Sequence, residues 1–200
     1  MSLRLPGLLL MLLLPVTVLA EPAQLKPGEA LRGRFTQERF MAGFDRPVVS
    51  SGSFLMVSGK GLLWRGETPF PITTIMTAQG ILQVVDGNER MRLSADKVPI
   101  LARLQQMMSG VLAGDQKVMH DDFSVREWKE GGVRGLDLAP RSVDGTQPSR
   151  SIRVTMSQFV DEVVIAKVGG DRDRITFADQ AVSTAPLTSE EAALLAFEAR

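Results

Sequence analysis

Residues 35–71 read FTQERFMAGFDRPVVSSGSFLMVSGKGLLWRGETPFP, and the fold is decided here. Two strand-like patches, Arg34–Phe40 and Gly52–Val57, flank a Gly/Asp/Pro break at Gly43–Pro47. A third apolar patch, Leu62–Trp64, follows the turn Ser58–Gly61. The corner Pro69-Phe70-Pro71 opens a fourth. Short patches of this kind, bounded by turn residues, predict the first strands of an antiparallel meander. No turn in the run carries a catalytic side chain. The sheet is therefore expected to offer a surface or a cavity rather than to hold up an active site.

Period-two patterning continues along the chain. Met91 and Leu93 alternate with Arg90, Arg92 and Ser94; Phe123, Val125 and Glu127 alternate with Ser124, Arg126 and Trp128. Leu136 and Leu138 flank Asp137, and Ile175 and Phe177 flank Thr176. Ile152, Val154 and Met156 alternate with Arg153, Thr155 and Ser157. Asp86-Gly87-Asn88, Glu130-Gly131-Gly132 and Gly169-Gly170-Asp171 separate these runs, with residues that accept the positive φ of tight turns. The count is roughly ten strands in one continuous antiparallel system, a sandwich or a barrel. Arginines two apart, as in Arg32/Arg34, Arg90/Arg92 and Arg172/Arg174, share a strand face, and a solvated outer face is expected for them. The Ser-, Gly- and Pro-rich segment Arg141–Arg150 reads as a surface loop.

Two segments break the strand pattern. Ile100–Ala113 has apolar residues at 100, 101, 104, 107, 108, 111 and 112, with Pro99 before it and Gly114 after it. That is the spacing of an amphipathic helix with fitting start and stop signals. Thr188–Arg200 predicts a second helix, opened by a Thr188/Glu191 capping box and carrying Leu194, Leu195 and Phe197. The mid-chain helix must lay its apolar face on the sheet. Two roles are open to it: a permanent plug of the core, or a lid over an apolar cavity. Met107 and Met108, with Met56, Met76, Met91 and Met156 on strands, would make that interior deformable.

The first twenty residues have the anatomy of a cleaved export signal, 1–20, and a single domain is expected over 21–200. Arg4 supplies the basic start, Leu5–Leu14 the apolar core, and Val18-Leu19-Ala20 a small-residue cleavage pattern. The chain has no cysteine, so disulfides, thiol nucleophiles, thiolate metal sites and lipid attachment after cleavage are excluded. The 23 basic and 23 acidic residues balance, and removal of Arg4 with the signal leaves the acids ahead by one. No basic stripe exists to neutralise phosphates, so nucleic acid is not an expected partner.

Catalytic constellations are scarce. The one histidine, His120, stands beside Asp121 and Asp122 and reads as a solvated turn, without the convergent ligands of a metal site. A Ser-His-Asp site would have to be built on His120, and no G-x-S-x-G elbow supports one. Ser94-Ala95-Asp96-Lys97 matches S-x-x-K formally but lacks the partner signatures. Gly59-Lys60-Gly61 is too short for a phosphate loop. No enzyme, cofactor or metal is expected.

F-T-Q at 35–37, S-G-S-F at 51–54, L-L-W at 62–64 and Pro69 resemble the outer-membrane lipoprotein carrier family, the LolA-like proteins. The order of elements over 31–180 fits the same pattern. The resemblance implies a mainly β fold with two short helices, a half-open antiparallel barrel closed by a helical lid. It implies a periplasmic carrier that shields acyl chains of a lipoprotein or another exported lipid in an apolar cavity. It also implies an inner-membrane export machine as donor and an outer-membrane acceptor; a monomer is expected. Two features depart from the pattern. The long N-terminal helix of typical members is shortened here to Glu21–Ala30. Typical members carry an Arg-Pro pair shortly before the tryptophan, where this chain has Ser58 and Gly59, with Lys60 the nearest cation.

Under the carrier reading, the lipid-binding walls are Phe35, Phe54, Met56, Leu63, Trp64, Met91, Leu93, Val154 and Met156. The lid is drawn from Leu101, Leu104, Met107, Met108 and Leu112. A one-residue register error would invert any strand's contribution. Two other functions remain open: a periplasmic sensor of lipid or lipoprotein that acts through a protein partner, and a hydrolase built on Ser94/Lys97 or His120.

Overall fold

The computed structural model describes residues 25–95, 123–141 and 149–197. The eleven strands are β1 (Ala30–Phe40), β2 (Val48–Val57), β3 (Gly61–Thr68), β4 (Ile72–Thr77), β5 (Gly80–Val85), β6 (Asn88–Ser94), β7 (Phe123–Glu130), β8 (Val133–Pro140), β9 (Ser149–Met156), β10 (Val160–Lys167) and β11 (Arg172–Ser183). They form one antiparallel sheet in the order β6-β5-β4-β3-β2-β1-β11-β10-β9-β8-β7. Strands β6 and β7 are its edges and are not paired with each other, so the sheet is open and not closed into a barrel.

Two meanders, β1–β6 and β7–β11, are joined by the pairing of β1 with β11. The turns anticipated at Asp86-Gly87, Gly131-Gly132 and Gly170 all carry positive φ, which is why those residue types stand there. Among the described residues there is one helix, α1 (Ser189–Leu195), against the two expected. The segment 100–113, expected to be the other, lies outside the described residues, as do the leader, His120 and most of the loop after Arg141. Among the described residues no helix is long and apolar enough to cross a membrane.

The register assigns the two faces. Directly opposed residues share a face, and Leu31, Met56, Leu62, Met76, Ile81 and Leu93 oppose one another in sequence from β1 to β6. This inner face continues onto the second meander through Ile175, Val163, Val154 and Leu136. Its buried members form one cluster, with Phe35, Phe54, Leu62, Phe123, Leu136, Val154 and Phe177 among them.

On the outer face of the first meander, Leu55, Leu63, Ile75 and Leu82 oppose one another and belong to a second cluster with Leu195 of α1. The sheet is thus buried on both faces here, by its own interior and by α1. The helix starts at the expected capping box, with Thr188 accepting from the Glu191 amide and Glu191 accepting from the Thr188 amide. Glu191 is buried and also receives both terminal nitrogens of Arg32. The hydrogen bonds from Arg32 outweigh burial and hold its carboxyl down at about 2.

Candidate lipid-binding site

The inner face is not filled evenly. Phe35 of β1 faces Gly52 of β2, and Gly52 faces Gly66 of β3. Gly66 leaves a gap in this cross-strand row, whereas Gly52 lets the strands approach so closely that a Cβ there would lie 1.8 Å from the Arg65 carbonyl oxygen. Trp64 occupies one side of this gap and stacks on Phe35, with ring centroids 3.7 Å apart and planes 25° from parallel. Phe54 and Phe177 support the pair from behind, meeting edge to face at 5.4 Å. Gly33 allows this arrangement, because a Cβ there would lie 2.7 Å from the Phe54 ring.

The result is a cavity of about 490 Å³ with Phe35 and Trp64 as floor. Val48, Pro69, Phe70 and Ile72 form an apolar rim. Phe70 is 73% exposed and Val48 52%, which is much apolar surface left in water at one opening. Polar groups line the rest: Thr74 with Gln83, whose amide donates to the Thr74 hydroxyl at 3.3 Å, Gln37 opposite Ser50, Thr68 bonded to Ser51, and Arg39 opposite Val48. Arg39 donates from Nε to Oδ1 of Asp173 at 2.9 Å, and Lys167 reaches the other carboxylate oxygen at 2.7 Å. Burial pushes the Asp173 carboxyl up; the hydrogen bonds from Arg39 and Lys167 prevail and hold it below the usual range.

A larger hollow of about 700 Å³ lies on the outer face of the second meander. Its chemistry is different. Arg126 and Arg153 both bind Asp137 at 2.7 Å, and Arg174 binds Glu162 at 2.6 Å, so the surface is a ladder of satisfied ion pairs. Ala139, Val164 and Ala166 lie between these charged groups, and among the described residues no aromatic ring lines the hollow. Among the described residues no group of three or more His, Asp or Glu is placed to hold a metal.

Six of the expected wall residues fall in one inner cluster: Phe35, Phe54, Met56, Trp64, Val154 and Met156. Phe35 and Trp64 reach the cavity, while Phe54, Met56, Val154 and Met156 form the buried bed. Met91 and Leu93 are half-buried and extend the same face along β6, opposite Gln83 and Ile81. Leu63 is a correction. It opposes Leu55 and lies beneath α1, on the other side of the sheet from Trp64. Leu62–Trp64 is an unbroken apolar run, so the sequence alone carries no alternation to tell its two faces apart. The lid candidates Leu101, Leu104, Met107, Met108 and Leu112 lie outside the described residues. Sequence reasoning missed Gln37, Arg39, Val48, Phe70, Ile72 and Gln83 as lining residues. Phe35, Gln37 and Arg39 do share period two, which was the available signal.

A search of curated proteins finds no match to the chain. Among solved structures it is similar to a LolA superfamily protein from Nitrosomonas europaea, at 10% identity, covering 82% of this chain and 90% of that one, with a TM-score of 0.43. It is similar to the MucA/MucB complex structure of Pseudomonas aeruginosa at 14% identity, over 81% of this chain and 54% of that one, TM-score 0.42. A putative outer membrane lipoprotein-sorting protein domain from Vibrio parahaemolyticus matches at 11% identity, 84% and 92% coverage and TM-score 0.41. The family described as outer membrane lipoprotein carrier protein LolA-like matches residues 19–198, nearly the whole chain. With the open antiparallel sheet, the single described helix on its outer face and the residues 35–69 that carry the pattern, the chain belongs to this LolA-like family.

Proposed function

We propose that this protein is a periplasmic binding module that shelters acyl chains of a lipoprotein or another exported lipid on the inner face of its sheet. The observation that carries this is the cavity floored by the stacked Phe35 and Trp64, with an exposed apolar rim and an apolar bed. Family membership supports it. Each methylene left in water costs about 0.8 kcal/mol, so about five buried methylenes offset the lower end of the association cost, about 4 kcal/mol, and a longer chain is held more tightly. Methionines on the same face, Met56 and Met76 in the bed and Met91 at the edge, can repack around cargo of irregular shape.

In this reading the function is non-enzymatic. Residues 1–20 are a cleaved leader, and residues 21–200 form one binding domain. The protein acts as a monomer between an inner-membrane donor and an outer-membrane acceptor.

Native mass spectrometry of protein purified from the periplasm, followed by solvent extraction, tests the reading. A co-purifying acylated species is expected, and Trp64→Arg should lose it. A brominated fatty acid should quench Trp64 emission in a Trp128→Phe background. Protein that is uniformly empty and shows no quenching would refute the proposal.

A further inference from the structure

The cavity is not apolar throughout, and the one cation among its described lining residues is placed at the end away from the aromatic floor. Phe35, Gln37 and Arg39 follow each other on the inner side of β1, opposite Gly52, Ser50 and Val48. At strand rise the floor and the arginine stand roughly 13 Å apart. The polarity therefore climbs along one line, from stacked rings through an amide and a hydroxyl to a guanidinium.

Arg39 is held but not consumed. Nε is its bonding atom to Asp173, and its terminal nitrogens have no partner among the described residues. Asp173 is 5% exposed and shared with Lys167, so two cations face one carboxylate and the cluster keeps a positive charge. A guanidinium anchored through Nε presents its two outer N–H groups as a planar fork, which suits a carboxylate or phosphate oxygen pair. The other two arginines of β1 before it differ: Arg32 gives both terminal nitrogens to Glu191, and Arg34 gives one to Glu67.

Resting on the acyl-binding reading, the geometry points to a ligand class: an acylated molecule with an oxyanionic head, its chain on Phe35 and Trp64 and its head on the terminal nitrogens of Arg39. Neutral acylated molecules of the same chain length bind more weakly.

The test compares a dansyl-labelled undecanoic acid with its methyl ester, at a pH where the acid is ionised. The full-length processed protein should bind the acid about tenfold more tightly than the ester, as expected for a charge-assisted pair. Arg39→Gln should remove that preference, bringing the affinity for the acid down to that for the ester. The wild-type preference should also shrink at high salt, a measurement that needs no variant. Excess inorganic phosphate should fail to displace the acid; displacement would mean a site for a free anion and would overturn the proposal. Equal binding of acid and ester by the wild type, or a preference retained in Arg39→Gln, overturns it while leaving acyl binding intact. Binding of neither probe overturns the acyl reading and this inference with it.

Discussion

Replacing Glu191 by glutamine keeps the side chain's shape and its ability to cap α1 but removes the charge that meets Arg32. In the folded protein the hydrogen bonds from Arg32, against the opposing effect of burial, bring the carboxyl from 4.5 to about 2. The folded form is thus the weaker proton binder. Its contribution to stability is complete above the unfolded value of 4.5 and is lost as pH falls through about 2. A gap of that size corresponds to at most about 3 kcal/mol. The Arg32 side chain is 38% exposed, and solvent screening reduces the expectation to about 1–2 kcal/mol. Urea unfolding of wild type and Glu191→Gln, followed by circular dichroism, should show that difference at neutral pH. Glu67, Glu89, Asp137 and Asp173 are also depressed, so both proteins weaken in acid. Only the difference between them isolates Glu191, and it should shrink towards zero near pH 2. A difference that is absent at neutral pH, or unchanged in acid, would refute the role given to the Arg32 pair.

Leu63→Ala removes a fully buried side chain beneath α1 and should cost about 2–5 kcal/mol in urea unfolding. It should leave the affinity for a fluorescent acyl probe within about twofold, because α1 and the cavity are on opposite faces; a loss of binding as large as that of Trp64→Ala would refute the face assignment. Gly52→Ala places a Cβ 1.8 Å from the Arg65 carbonyl oxygen. The thermal midpoint should fall by roughly 10 °C in a calorimetric scan, and an unchanged midpoint would contradict the β2–β3 register.

The strands with clean alternation were legible from sequence. In β9, Ile152, Val154 and Met156 point inward as their spacing requires, and the glycine turns mark the hairpins because only positive φ closes them. The capping box placed the start of α1 for the same local reason. Legibility failed where both faces are buried. Leu62-Leu63-Trp64 and Ile81-Leu82 are continuous apolar pairs and triplets, and their division depends on a helix more than a hundred residues later. Arginine partners were hidden likewise. A solvated outer face was expected for Arg32, yet its carboxylate comes from a residue 159 positions away. Period two puts Arg39 on the cavity side of β1, but its partner Asp173 stands on β11. Neither partner can be read from neighbours in the chain. The barrel expectation erred in a different way: alternation tells which side of a strand is apolar, but not whether the last strands meet the first to close a cylinder.

The pairing of β1 with β11 sets a condition on how the chain is made. The first strand to emerge from the ribosome must wait for the last, since its partner Phe177 lies near the end. Contacts this distant carry a loop-closure cost before they return any stability, and topologies rich in them fold slowly. Truncation before Arg172 would not trim the sheet from an edge. It would divide it at its centre into two separate meanders, β1–β6 and β7–β10. The central seam therefore stays open until the final strand has been made, and its closure is what turns two local meanders into one continuous sheet.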